Sequence, residues 1–401
     1  MIGVDNIKDV EIIFLFIVTY GFIVSEKINR TVAAFVGVAL LFLLRLIDFE
    51  YAVESVDFNT IGLLLGMMII VNVTKKSGFF QYLAIKAGKI SKGEPLKILI
   101  LLCIITAVCS AFLDNVTTVL LIAPMTLIIT EKLSLNPIPF LVAEIFASNI
   151  GGTATLVGDP PNIMIGSAAN LGFVDFLTHL APIVIFMLVI TLIIFKTIYQ
   201  KQLGVSEEKK TLILSLDENK TIKNKLLLKK SLIIIGLTML GFLLHQTLHL
   251  HSATVALAGA AFMLLVSGIN PEEVFREVEW NTIFFFAFLF ILVGGLEKTG
   301  IIHYLANELL RITKSNILYM SLLILWGSAV FSAFLDNIPL VATLIPLIQS
   351  LDKISGMNIE PIWWSLALGA CLGGNGSLIG ASANVVAAGI LEKYQYKLSF
   401  K

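Results

Sequence analysis

Charge is what this chain has least of. Asp, Glu, Lys and Arg make up 14% of its 401 residues, against about 25% in soluble domains. The 28 basic residues are matched by 28 acidic ones, so no basic excess exists to neutralise a phosphate backbone, and a nucleic-acid partner is not expected. Cysteine is nearly missing too. Cys103, Cys109 and Cys371 form neither a disulfide framework nor a CxxC metal-ligand spacing. The start, Met1 to Glu11, carries Asp5, Lys8, Asp9 and Glu11 in place of a basic n-region. No small-residue cleavage site follows the first apolar run, so that run is expected to persist as a helix. What remains is apolar: 57% hydrophobic residues and a mean hydropathy of +0.92. These figures exclude a soluble enzyme and point to an all-α integral membrane protein, because a backbone surrounded by lipid must satisfy its own hydrogen bonds.

A spanning helix needs about 20 mostly apolar residues, and by that measure spans are expected near 10–26, 31–47, 58–75, 177–199, 229–248, 253–268 and 281–296. Sliding the chain against itself gives a gapless match at an offset of 222 residues. Asn59-Thr60-Ile61 recurs as Asn281-Thr282-Ile283, Ser110-Ala111-Phe112-Leu113-Asp114-Asn115 as Ser332-Ala333-Phe334-Leu335-Asp336-Asn337, Gly151-Gly152 as Gly373-Gly374, and Asn162 as Asn384. Shared apolar composition does not produce a six-residue identity containing Asp-Asn, so the halves are a duplication.

Each half is predicted to hold five spans, a re-entrant hairpin and a broken helix. The first hairpin is 96–113 and 116–132, with Asp114-Asn115 at its tip. The first broken span is 138–150, an unwound stretch from Gly151 to Pro161 where Gly-Gly and Pro-Pro stop the helix, and then 162–173. A hairpin returns to its own side, so each half crosses an odd number of times and the second half is inverted relative to the first. The chain then divides into a first repeat at 1–200, a linker at 201–228 and a second repeat at 229–401. The copy of the closing span 177–199 would fall at 399–421, past Lys401, so the last span of the second repeat is expected to be missing. Segments 79–93 and 301–315 are expected to lie in the membrane interface.

Charge tests this topology, since cytoplasmic loops collect Lys and Arg. Lys8, Arg45, Lys298, Arg311, Lys314 and Lys353 fall on one side, and the remaining 22 of the 28 fall on the other. The crowded side is taken as cytoplasmic, which puts the N-terminus outside, the linker inside and the protein in the plasma (inner) membrane.

An ionisable side chain at mid-membrane costs at least about 2.5–3.5 kcal/mol. Four are expected there, all acidic: Asp114 and Asp336 at the hairpin tips, Glu144 before the first break and Asp159 within it. No Lys or Arg belongs to these core segments, so bound Na⁺ or a proton is the least costly way to neutralise them. A structural alternative stays open for each. Asp is a preferred N-cap, Asp159 precedes Pro160-Pro161, where Pro opens a helix, and Glu144 suits a buried hydrogen-bonding role. Position 159 corresponds to Ala381, which points to one ionisable site rather than two equivalent ones. With Asn115 and Asn337, these four carboxylates are the candidate coupling-ion ligands. Asn149, Gly151, Gly152, Thr153 and Asn162, with Gly373, Gly374, Asn375 and Asn384, are the candidate solute ligands, because unwound carbonyls coordinate cations and half-helix N-termini attract anionic oxygens. His245, His249 and His251 read as an exposed outer loop end, and Cys371 as a packing residue.

The strings Leu113-Asp114-Asn115-Val116-Thr117-Thr118, Ala147-Ser148-Asn149-Ile150-Gly151-Gly152-Thr153-Ala154-Thr155 and Gly158-Asp159-Pro160-Pro161-Asn162 resemble the ion transporter superfamily, in particular its branch of arsenite permeases and the pigmentation P protein, with a citrate transporter-like domain. The resemblance covers essentially the whole chain. It implies a proton- or Na⁺-coupled secondary carrier in which hairpins and broken helices form a transport domain that moves, elevator-fashion, against a scaffold. Dicarboxylate relatives bind a substrate carboxylate with a hairpin-tip Ser-Asn-Thr, whereas the tips here read Asp114-Asn115-Val116-Thr117 and Asp336-Asn337-Ile338-Pro339, which argues against a di- or tricarboxylate.

The expected function is therefore export of a small inorganic solute such as arsenite, driven by H⁺ or Na⁺. Na⁺/H⁺ antiport is the alternative, with a dicarboxylate or citrate symporter or an ion channel behind it. A channel needs a continuous polar path, which two isolated midplane breaks do not supply. No enzymatic activity, no cofactor and no metal beyond Na⁺ are expected. The partners are the solute, the lipid bilayer and a second copy of the chain in a homodimer.

Overall fold

The computed structural model describes residues 7–25 and 27–398; Asp5 and Lys401 lie outside them. In the first half α1 (Ile7–Ser25), α2 (Arg30–Leu43), the short α3 (Phe49–Glu54) and α4 (Phe58–Lys76) lead to α5 (Phe79–Ile90). The pair α6 (Pro95–Phe112) and α7 (Asn115–Leu133) follows, then the broken pair α8 (Ile138–Gly152) and α9 (Pro160–Ala169), then α10 (Phe173–His179) and α11 (Ala181–Tyr199). A linker containing α12 (Glu207–Leu214) leads to α13 (Lys225–Leu244), α14 (Ser252–Ser267), α15 (Pro271–Arg276), α16 (Trp280–Lys298) and α17 (Ile301–Thr313). The chain closes with the pair α18 (Ile317–Ser332) and α19 (Asn337–Ser355) and the broken pair α20 (Glu360–Gly373) and α21 (Ser382–Lys393). No strand occurs among the described residues. Seven of the helices, α4, α6, α7, α11, α13, α16 and α19, are long and apolar enough to cross a membrane, and the fold is that of an all-α integral membrane protein.

Helix starts are written into the sequence as caps. Asp57, Asp114, Asn224, Asn316 and Asp336 each accept an N–H from the first turn of the helix they precede, an interaction that contributes about 1 kcal/mol apiece. The duplication is equally regular. Helices α2 to α9 begin, one by one, 222 positions before α14 to α21, and hydrogen bonds repeat with them. Ser110 Oγ donates to the Ser148 carbonyl at 2.7 Å and Ser332 Oγ to that of Ala370 at 2.6 Å. The Thr155 hydroxyl bonds the Ala111 carbonyl just as the Ser377 hydroxyl bonds that of Ala333.

Two expectations need correction. Gly151-Gly152 does not stop its helix: α8 runs through Gly152 and the break is Thr153 to Asp159, whereas in the second half α20 ends at Gly373 and Gly374 opens a short 3₁₀ turn. The glycines serve close approach instead. A Cβ at Gly151 would strike the backbone of Ala107 on α6, and one at Gly373 the backbone of Ala329 on α18, so the broken helices lie directly against the hairpins. Helix α2 is also shorter than the span predicted at 31–47, because Arg45 turns left-handed (φ 53°) and Asp48 caps α3. Its 14 residues reach about 21 Å against a hydrocarbon core of about 30 Å. The helix is therefore shorter than a full span.

The linker is folded rather than free. Leu203 and Ile213 are buried among Ala84, Ile85 and Leu133, and the Lys223 N–H donates to the Ser77 carbonyl at 3.0 Å. Lys89 Nζ lies 2.5 Å from Glu218 Oε2 and holds that carboxyl below its usual range. The chain passes from α4 to α5 through Gly78 (φ +85°), directly against the Thr221 carbonyl, whereas its counterpart Gly300 (φ +75°) faces open space. Gly300→Ala should cost only the ~1–2 kcal/mol of a left-handed backbone, and Gly78→Ala distinctly more. Thermal melts in detergent compare the two; equal losses would mean that the linker does not hold this turn.

Candidate ion and solute site

Both hairpin tips and both breaks converge. Asp114 and Asp336 cap α7 and α19, accepting the N–H groups of Thr117 (2.8 Å) and Ile338 (3.0 Å) through Oδ1. Beyond the tips, Asn115 Nδ2 donates to Asn149 Oδ1 at 3.1 Å, and Asn149 Nδ2 donates to Asn375 Oδ1 at 2.9 Å and Asn384 Oδ1 at 3.0 Å. Asn149 is thus a hub joining the two halves across 235 residues of chain. The reciprocal contact is Cys371 Sγ to Asn162 Oδ1 at 3.5 Å, so Cys371 stands in the second half where Asn149 stands in the first.

Asn162 and Asn384 close the breaks. The Asn162 amide donates to the carbonyls of Thr153 (3.1 Å) and Thr155 (2.9 Å), and the Asn384 amide to those of Gly374 (2.7 Å) and Ser377 (2.9 Å). Thr153 turns its hydroxyl back to the Asn149 carbonyl. Carbonyls expected to be open to a cation are therefore bonded already. The glycines at 151, 152, 373 and 374 pack against backbone and do not line the cavity.

That cavity, about 350 Å³, is bounded by Asp114, Asn115, Asp159, Asn337, Glu279, Thr282 and Arg30. Asp159 is fully buried. It stands at the N-cap of α9 without making a cap bond, and its hydrogen bonds are two long ones, 3.4 Å, from Asn337 Nδ2. A buried carboxylate so weakly held needs a cation or a proton. Thr118, at the first tip, has a fully buried hydroxyl with no partner, a further oxygen donor beside Asn115.

Two sequence readings of the acidic set change. Asp336 has a cationic partner after all: Arg30 Nη1, on the first residue of α2, lies 2.6 Å from its Oδ2. Glu144 stands apart from the cavity. Its Oε1 accepts the Thr126 hydroxyl at 2.5 Å and its Oε2 has no partner.

A family model described as Citrate transporter matches residues 20–369. The chain belongs to the citrate transporter family. It is 44% identical, over 96% of its length and 91% of the relative's, to a protein named an uncharacterized transporter in Mycobacterium tuberculosis. It is 43% identical to the 46 kDa membrane protein of Mycobacterium leprae, over 97% of its own length and 92% of that protein's. The P protein of Homo sapiens is 35% identical over 95% of this chain, which spans 56% of that longer protein. Family membership and the apolar helices together make this a multi-pass membrane protein of transporter type.

Sequence reasoning missed one acidic residue of this family member's cavity. Glu279 is half-buried on the cavity wall and accepts the Thr282 hydroxyl at 3.2 Å. The signal was present, because the 222-residue offset sets Glu279 on Asp57 just ahead of the repeated Asn-Thr-Ile. Asp57 and Asn59 line a second, larger cavity of about 610 Å³ with His245, His249 and His251. His245 is buried, not exposed, with Nδ1 2.7 Å from the Phe242 carbonyl at the end of α13. Among the described residues no three His, Cys, Asp or Glu side chains stand together as a metal site.

Proposed function

We propose that this protein is an ion-coupled secondary active transporter moving a small inorganic solute or a cation, with Asp159 at the centre of the coupling site. The observation that carries this reading is the fully buried Asp159 carboxylate, with no ion-pair partner among the described residues, in a cavity shared with Asp114 and Glu279. Its neutralisation by H⁺ or Na⁺ changes the preferred arrangement of the groups around it, which is the differential affinity that coupling requires. Asp114 and Asp336, with Asn115 and Asn337, complete the ion-binding set, and Asn149, Asn162, Asn375 and Asn384, which join the halves and close the breaks without lining the cavity, hold the frame against which a solute would bind. The duplicated halves, read as inverted repeats, support elevator-type alternating access, and the excess of Lys and Arg on one side supports an outer N-terminus, a cytoplasmic linker and residence in the plasma membrane.

Export of arsenite fits a cavity with acidic and amide oxygens and no free cation. Na⁺/H⁺ antiport fits the same carboxylates acting as the cargo site. A citrate-like carboxylate is favoured by the description of the matching family and by the presence of Arg30 on the wall, but Arg30 is already engaged by Asp336.

Proteoliposomes given arsenite, Na⁺ and citrate in turn under imposed pH and Na⁺ gradients test this. Gradient-dependent movement of arsenite or Na⁺ is the expected result. Citrate uptake with no response to the other two would overturn it.

A further inference from the structure

Arg30 occupies an unfavourable position. It is the first residue of α2, where the helix already carries about half a positive charge. Its guanidinium is held by other elements: Nη1 is 2.6 Å from Asp336 Oδ2 and 2.9 Å from Ser382 Oγ, and that hydroxyl lies 2.6 Å from the same carboxylate oxygen. The guanidinium carbon lies 4.9 Å from the centre of the Phe285 ring on α16.

The repeat supplies a comparison within the molecule. Position 30 corresponds to Ser252, the first residue of α14, and Asp336 corresponds to Asp114. The equivalent pair in the other half is therefore Ser252 with Asp114, and these two do not meet. Ser252 bonds Asn59 and lines the larger cavity. Asp114 lines the smaller one and makes no ion pair among the described residues. The same contact is closed in one half and open in the other. Two equivalent halves that exchange arrangements would open the first contact as the second closes, and the second, with serine in place of arginine, cannot replace the ion pair.

We propose that Arg30 is the resident counter-cation of Asp336 in the state seen here and leaves it when the protein turns to its other side, so that the Asp336 carboxylate is open to the coupling cation only there. The inference rests on the reading of this chain as a coupled carrier and assigns Arg30 the task of making cation binding at the second tip depend on the side faced. A contact made in one state alone biases the equilibrium toward that state.

Val116→Cys and Val386→Cys, one cavity-lining reporter from each half, are labelled with a membrane-impermeant maleimide in right-side-out and inside-out vesicles and read by peptide mass spectrometry. Wild-type protein should label mainly from one face. Arg30→Gln and Asp336→Asn should each move the ratio toward the opposite face by about fivefold or more, the double variant should move it no further than the larger single, and Arg30→Lys should keep the wild-type bias. An unchanged ratio in Arg30→Gln, additive single effects, or Arg30→Lys behaving like Arg30→Gln would each overturn the proposal. Failure of the carrier reading itself shows separately, as absence of gradient-driven solute movement by the wild-type protein in proteoliposomes.

Discussion

Asp159→Asn is expected to leave the protein folded and to weaken the cation dependence of transport. The fold should tolerate it because Asp159 contributes little to local structure: it makes no cap bond to α9 and receives only the two 3.4 Å contacts from Asn337. An asparagine oxygen can accept the same amide, and the change removes a buried charge rather than a strong bond. A cation held here, by contrast, would lose its one fully buried anionic ligand. A contact to a charged group is worth about 1.5–3 kcal/mol, so apparent affinity for the coupling ion should fall by about tenfold to a hundredfold. Na⁺ and H⁺ titrations of transport in proteoliposomes measure the fall, and a thermal melt in detergent checks the fold. Unchanged ion dependence would remove Asp159 from the coupling site. Asp336→Asn is a less clean probe, because it also strands Arg30, whose ion pair is only partly exposed to solvent.

The difference between those two aspartates marks where sequence reasoning stopped. Helix existence and tip positions were legible because several starts, both tips among them, carry an Asx cap and each half repeats the other at one offset, so Asp114 and Asp336 could be placed at tips from spacing alone. Contacts between the halves were not. Arg30 and Asp336 are 306 residues apart and Asn149 and Asn384 are 235 apart, and no local pattern announces either pair. Arg30 read as one more basic residue on a crowded side, since nothing in its neighbours reveals that its guanidinium meets Asp336 and Ser382. Gly151-Gly152 was misread for a similar reason. Glycine has a poor helix propensity, so the pair reads as a break, but what it accommodates is the backbone of Ala107, more than forty residues upstream. Glu279 was hidden by its place at the head of a span, where a carboxylate ordinarily faces lipid headgroups.

Replacing Glu144 by Leu together with Thr126 by Val should make the protein more stable and leave transport intact. The repeat already contains the apolar version of this contact. Positions 144 and 126 correspond to Leu366 and Ile348, both fully buried, so the same packing of broken helix on hairpin closes without polar atoms. In the first half, Glu144 is 1% exposed and Thr126 fully buried, and their single hydrogen bond leaves Glu144 Oε2 unpaired. An unsatisfied buried polar atom costs about 1–3 kcal/mol, while replacing both partners with apolar groups of like shape is neutral or favourable. The gain should therefore fall in that range, measurable as a higher melting temperature in detergent. Glu144→Leu alone should gain less, because it strands the Thr126 hydroxyl, whose only other acceptor is the Ile122 carbonyl at 3.4 Å. Transport separates the remaining alternatives. If ion-driven movement survives in the double variant, the coupling carboxylates are Asp114 and Asp159 in the cavity and Asp336 at the second tip. If stability rises while ion dependence is lost, Glu144 returns as a coupling residue, and its polar pair, absent from the second half, becomes the reason that the two repeats are not interchangeable.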